Sequence, residues 1–421
     1  MAYDVVIAGK FYMDYTFQNL EVGIVNGRIA KIGKNLKGGI RKELDGAIMP
    51  AGTDIHVHFR DPGETHKEDF RSGTVSAAYG GTTTVYDMPN NKVPILDYST
   101  FGDKLSSVGS RAFVDFGLYS MFNGTNADLI DRRSSAIKIY LGGSTNSLPV
   151  GDFSTKASNT IKELRKPVIF HGEDAGCLSL NRKDEIYNLR EHNLSRPEEC
   201  EILSARTILD LGFPNSVMGH ISTPESLKLI EGKVMGEVTP HHILLNDEME
   251  IGPWGKVNPP LRIKKTQEDN LQAYLDGKFN ILSSDHAPHT EREKEEFSQA
   301  PSGIIGVETR IPLLLALVQK KVLDLKVLYD TAIKNPAELM GISKGKLETG
   351  YWADFINFKF SDIGRVNQER LHSKTPISPF QDFYAVFPEN VTMRGEFLIE
   401  SHELVEDRMG KHVPDLEPGK V

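Results

Sequence analysis

Asp54-Ile55-His56-Val57-His58-Phe59-Arg60 alternates side-chain character at a period of two, the pattern of a β-strand. Alternate residues of a strand share a face, so His56, His58 and Arg60 point the same way. Two imidazoles on one face make half of a metal site, and an arginine beside them makes a fork for a carboxylate.

Seven further strands follow at intervals: Thr82–Met88, Ala112–Ser120, Ala136–Leu141, Pro167–His171, Ser216–Ile221, Lys233–Thr239 and Asn280–Ser284. Helical patterns at Glu68–Tyr79, Thr155–Leu164, Pro197–Leu211, Thr223–Ile230 and Gln267–Leu275 fall between many of them. Eight strands alternating with helices predict a closed (β/α)8 TIM-like barrel over residues 51–346, with its site at the carboxyl ends of the strands. The two ends of the chain are written differently. Asp4–Ile7, Leu20–Val25 and Arg28–Ile32 are short strands with Asn26-Gly27 as a hairpin turn, and Asp354–Phe360 and Val391–Glu400 repeat that character around Arg394-Gly395. Residues 1–50 and 347–421 are therefore expected to form one discontinuous β-sandwich.

Polar residues interrupt the barrel strands where such a site would lie. His171 ends strand five, His220 strand six and Asp285 strand eight, while Lys138 sits inside the apolar strand four. Four histidines and an aspartate at the ends of four strands suit zinc. Burying an ammonium is costly, so Lys138 is expected to lose its proton and react with carbon dioxide. The resulting carbamate has two oxygens with which to bridge two metal ions. A pair of ions lowers the pKa of a water between them, and Asp285 would accept its proton and return it to a leaving nitrogen. Attack on an amide carbonyl is the reaction class such a set supports.

Composition excludes other classes. A formal net charge of −9 without a basic run argues against a nucleic-acid surface. The best apolar run, Ile311–Val318, is far short of the ~20 residues a membrane helix needs, and the N-terminus lacks a basic signal-peptide start. Two cysteines, Cys177 and Cys200, make no disulfide framework and are expected as reduced, small core residues. A cytoplasmic protein follows, with a homodimer as the commonest assembly. The charged stretch Thr290–Ser302 is expected to act as a flap over the site.

Four segments carry a resemblance: Asp54-Ile-His-Val-His-Phe-Arg-Asp-Pro-Gly63, Asp87-Met-Pro-Asn90, Lys256-Val-Asn-Pro-Pro-Leu-Arg262 and Ser284-Asp-His-Ala-Pro-His289. Together they resemble the amidohydrolase superfamily and, within its cyclic-amide branch, the dihydroorotases. The resemblance implies reversible cyclisation of N-carbamoyl-L-aspartate to L-dihydroorotate in pyrimidine synthesis. It places His56 and His58 on a first zinc, His171 and His220 on a second, carboxylated Lys138 between them, and Asp285 as first-zinc ligand and general acid/base. It assigns Arg60, Asn90 and His289 to the substrate carboxylate and puts Asn258 in the pocket lining. His241 and His242 are taken as supporting residues. Allantoinases and dihydropyrimidinases share the metal ligands, but their rings lack the carboxylate that would occupy Arg60. An inactive homologue serving as a structural partner of aspartate carbamoyltransferase would have lost ligands, and none is missing here.

Overall fold

Residues 52–57 form the first of eight parallel strands that run in chain order round a barrel: β5 (Gly52–Val57), β6 (Thr82–Asp87), β7 (Asp115–Met121), β8 (Ala136–Tyr140), β9 (Val168–His171), β10 (Ser216–Met218), β11 (Met235–Val238) and β12 (Ile281–Leu282). The structure is a computed structural model describing residues 3–405 and 409–417. Thr82-Thr-Thr-Val-Tyr-Asp87 and Ala136-Ile-Lys-Ile-Tyr140 are buried throughout, as strands covered on both faces must be. Closure comes at the β12–β5 seam, where the His58 amide donates to the His286 carbonyl at 2.7 Å. Arg310, fully buried, reinforces that seam by donating to the carbonyls of Leu282 (2.7 Å) and Thr53 (3.2 Å) and to Thr82 Oγ1 (3.0 Å).

Each expected barrel strand forms, but several stop short, strand one at Val57 rather than Phe59 among them. Strand six ends at Met218 rather than Ile221, and strand eight at Leu282 rather than Ser284. His220 and Asp285 take left-handed backbone, φ +37° and +47°, which cannot continue a strand. The strands are cut where the chemistry-bearing residues begin.

Both ends of the chain meet in a second, eight-stranded sheet. Its N-terminal members are β1 (Val5–Met13), β2 (Thr16–Val25), β3 (Arg28–Gly33) and β4 (Ile40–Pro50). Its C-terminal members are β13 (Phe355–Phe358), β16 (Asn390–Met393), β17 (Glu396–Glu400) and β18 (Glu403–Leu404), with a separate small pair, β14 (Gly364–Arg365) and β15 (Tyr384–Ala385), between them. Antiparallel pairing of β4 with β13 joins the halves. Asn26 and Gly27 both have positive φ (+50° and +76°), as do Arg394 and Gly395, so the hairpins stand where turn chemistry placed them. Ile7, Phe11, Val22, Ile24, Ile48 and Phe355 form the core of this sandwich-like unit.

A buried ionic cluster fastens it to the barrel. Lys344 Nζ lies 2.6 Å from Asp115 on β7 and 2.7 Å from Asp354 just before β13, and Arg394 from the β16–β17 turn also pairs with Asp115.

One expectation is corrected. Cys177 and Cys200 are joined in a disulfide between the helices Ala175–Leu180 and Glu198–Leu211. Two cysteines do not show pairing by number alone; here the chain doubles back and brings their Cα atoms to 5.2 Å, within disulfide reach. Among the described residues no helix is long and apolar enough to cross a membrane.

Removing one member of a buried ion cluster strands its partners, at a cost of ~3–5 kcal/mol. Lys344→Met is expected to lower the urea midpoint by that margin; an unchanged midpoint would show that the clamp contributes nothing to stability.

Candidate active site

The site is assembled from the carboxyl ends of β5, β8, β9 and β10 and the segment after β12. At the end of β5, His56 and, just beyond the strand, His58 each spend their Nδ1–H on a fixed acceptor. His56 donates to Glu237 Oε1 at 2.8 Å and His58 to Asn90 Oδ1 at 2.7 Å. The orientation of Asn90 is not arbitrary, because its amino group donates to the Thr145 carbonyl at 2.8 Å and so turns its oxygen to His58. Both Nε2 atoms are then lone pairs, and both face Asp285 Oδ1, at 3.5 Å from His56 and 3.1 Å from His58. Ligand atoms of His56, His58 and Asp285 all lie within 4.8 Å of one another. Unprotonated nitrogen facing carboxylate oxygen at that range is repulsive unless a cation lies among them, so the donor set fits a metal ion. Lys138 Nζ is 3.4 Å from His56 Nε2, on the same cluster.

A second pair stands beside the first. His171 Nδ1 is 2.9 Å from His220 Nε2, and His171 turns its Nε2–H outward to Glu173 Oε2, also at 2.9 Å. Glu237 spans the two groups: the oxygen that accepts from His56 also accepts from the His220 amide at 3.0 Å. All five nitrogen-bearing side chains and Asp285 therefore lie in one neighbourhood at the strand ends.

Burial sets the charge states. It drives His58 down to about 3 against the opposing pull of Asp285, lowers His171, and holds His220 well below the usual imidazole value. These rings are neutral at physiological pH, the form that binds metal. Burial also brings Lys138 down to about 8, against Glu237 and Asp285, so a neutral amine is within reach. For Asp285 burial acts upward, and only proton-bearing rings at His56, His58 and His220 would hold the carboxyl below its ordinary range; with the rings neutral, that part would fall to a bound cation.

Arg60, Asn90 and Asn258 line a narrow cleft over this cluster together with His58, Asp285 and Ser302. Arg60 is held in left-handed backbone (φ +60°), a conformation that costs ~1–3 kcal/mol away from glycine and recurs at functional positions. Its guanidinium is buried and donates to the Pro288 carbonyl (3.3 Å) and His289 Nε2 (3.1 Å). Among the described residues no carboxylate lies within 4.0 Å of it. His289 thus braces Arg60 while lying beside it. Asn258 has its oxygen occupied by Ser302 Oγ (3.0 Å) and His192 Nε2 (3.1 Å), so it offers a ligand N–H donors.

His242, with Nε2 3.0 Å from the Pro259 carbonyl, supports the Asn258 turn from behind. The segment Thr290–Ser302 is anchored: Glu293 pairs with Lys67 at 3.0 Å, Lys294 donates to the Pro253 carbonyl and Lys256 to the Phe297 carbonyl. Glu173, Arg196, Glu237, His192 and Ser302 escaped sequence reading. Glu237 had a signal, an acid inside the apolar strand Val234-Met-Gly-Glu-Val238, of the same kind that marks Lys138. Arg196 and His192 had none, since only folding brings them near.

Comparison with known proteins agrees with this geometry. The model of the Amidohydrolase family matches residues 47–383. The chain is 53% identical to the dihydroorotase of Thermoplasma acidophilum over 98% of its own length and 99% of that protein. It is 33% identical to the dihydroorotase of Archaeoglobus fulgidus, over 94% and 97%. Among solved structures it resembles the L-hydantoinase (dihydropyrimidinase) from Arthrobacter aurescens, with a TM-score of 0.91 over 98% of this chain and 99% of that one. Identity there is 24%, so that likeness speaks for the fold. The chain belongs to the amidohydrolase family and, within it, to the dihydroorotases.

Proposed function

We propose that this protein interconverts L-dihydroorotate and N-carbamoyl-L-aspartate, as the dihydroorotase step of pyrimidine synthesis, with zinc. The observation that carries the substrate is Arg60, a buried guanidinium with no carboxylate of its own among the described residues, at the rim of the donor cluster. Glu64, Asp285 and Asp87 attract it only from beyond ion-pair distance, and dihydroorotate brings a ring carboxylate that can meet the guanidinium directly. Hydantoins and dihydrouracil do not, which favours dihydroorotate over the substrates suggested by the fold likeness.

In this reading His56, His58 and Asp285 would hold one zinc, His171 and His220 would hold a second, and Lys138 as its carbamate would supply a ligand to both. When bound, the ions supply Lewis acidity for the ring carbonyl and a water of lowered pKa. The protein's own groups do the rest. Arg60, with Asn90 and His289 beside it, takes the ring carboxylate, and the N–H donors of Asn258 hold the ring. Asp285 accepts the proton of the attacking water. As the bond between ring carbonyl carbon and ring nitrogen breaks, Asp285 returns that proton to the nitrogen. Cyclisation runs the same steps backwards. The proposal extends to a cytoplasmic homodimer.

The decisive assay follows ring absorbance of L-dihydroorotate, with dihydrouracil and hydantoin in parallel. Turnover confined to dihydroorotate is expected; turnover confined to a neutral ring would overturn the substrate. Arg60→Ala forfeits a charge-assisted contact of ~1.5–3 kcal/mol, so kcat/KM should fall about 10–100-fold, chiefly through KM. Asp285→Asn should lower kcat ~10²–10⁴-fold with metal still bound, and wild-type kcat would remove Asp285 as the proton carrier. Chelation should abolish turnover, and recovery on adding zinc should be faster with bicarbonate present; recovery indifferent to bicarbonate would argue against a carbamate on Lys138.

A further inference from the structure

The two groups of ligands are supported differently. Behind His56 and His58 stand Glu237 and Asn90, both within the barrel mouth. Behind His171 stands Glu173, fully buried and two residues further along the chain. The pairing with Arg196 is two-pronged: Nε lies 3.0 Å from Oε1 and Nη2 2.6 Å from Oε2. That geometry fixes the plane of the carboxylate as well as its charge. Arg196 Nη2 also donates to the Gly143 carbonyl at 2.9 Å, in the loop after the Lys138 strand. Its own carbonyl is fastened by Arg262 at 2.6 Å.

The chain legs that carry Glu173 and Arg196 are bound together a second and third time. The Asp174 amide donates to the Cys200 carbonyl at 2.9 Å, and Cys177 is disulfide-bonded to Cys200. Arg196 itself sits at the rim, its side chain 16% exposed, while Glu173 and His171 lie behind it. A rim arginine is thus the outermost link of a line running Arg196, Glu173, His171.

We infer that Arg196 is a positioning residue for the second cation: through Glu173 it holds His171 with Nε2 protonated and Nδ1 free to bind metal. Nothing in this assigns Arg196 a contact with substrate. Without Arg196 nothing fixes the plane of the Glu173 carboxylate, which is free to turn away; His171 then loses its fixed acceptor and with it the preference for one tautomer. The first group, resting on Glu237 and Asn90, keeps its supports. The inference rests on the two-zinc reading of the site.

The test compares wild type, Arg196→Gln, Arg196→Lys and Glu173→Gln as purified, zinc-saturated proteins. Metal per chain is counted after gel filtration, release to a chromogenic chelator is timed, and kcat and KM are measured. Displaced outer partners of metal ligands lower affinity or activity by ~10–100-fold. Arg196→Gln should therefore keep one tightly held zinc, release the other at least ~10-fold faster, and lose kcat with KM within about twofold; Arg196→Lys should recover part of the loss. Two zinc ions released at wild-type rates from a folded Arg196→Gln protein would overturn the inference while leaving the two-zinc reading standing. A wild-type protein that saturates with a single zinc would instead overturn that reading, and the inference with it. Should Arg196→Gln not fold, Glu173→Gln carries the same prediction, and unchanged zinc release there would overturn it equally.

Discussion

Desolvation at one point of the barrel, the carboxyl ends of its strands, governs what the surrounding side chains must be. Water is excluded from His58, His171, His220 and Lys138, and each loses affinity for a proton as a result. Neutral nitrogen is what a metal ion requires, and a neutral lysine is what carbon dioxide requires. The same exclusion makes every remaining polar group depend on a protein partner, which is why Glu237, Asn90 and Glu173 each answer a ring N–H.

Such a cluster needs a rigid base and locally distorted rims. The base comes from the fully buried strands, the Arg310 seam and the Lys344 clamp between barrel and terminal sheet. The distortion at the site includes Arg60, His220 and Asp285, whose left-handed backbones lift their side chains out of strand geometry. Stability and function thus occupy different ends of the same strands, as is general in barrels of this kind.

The barrel was legible because its strands are apolar runs separated by helical patterns, and each of the eight appears at its expected place. The metal cluster was legible for a related reason: histidine, lysine and aspartate at the ends of buried strands are out of place unless they do something. Arg60 was visible through its register with His56 and His58. What the sequence hid were contacts made only by tertiary approach. Arg196 looks like any helix-flanking arginine until the chain brings it to Glu173, and the pairing of Cys177 with Cys200 depends on the same doubling-back. Strand ends were overrun at His220 and Asp285 because a left-handed residue leaves no mark in hydrophobic periodicity.

Likeness to a hydantoinase at 24% identity shows that this scaffold is shared with relatives acting on other rings, so ligand geometry and substrate contacts have to be weighed apart. The central claim is that the buried cluster is a two-zinc centre bridged through Lys138. Crystals grown with zinc and bicarbonate, measured at the zinc absorption edge, test it most directly. The account predicts two anomalous peaks, one among His56, His58 and Asp285 and one between His171 and His220, with density for a carbamate on Lys138 Nζ reaching both. A single peak beside an unmodified Lys138 would contradict it.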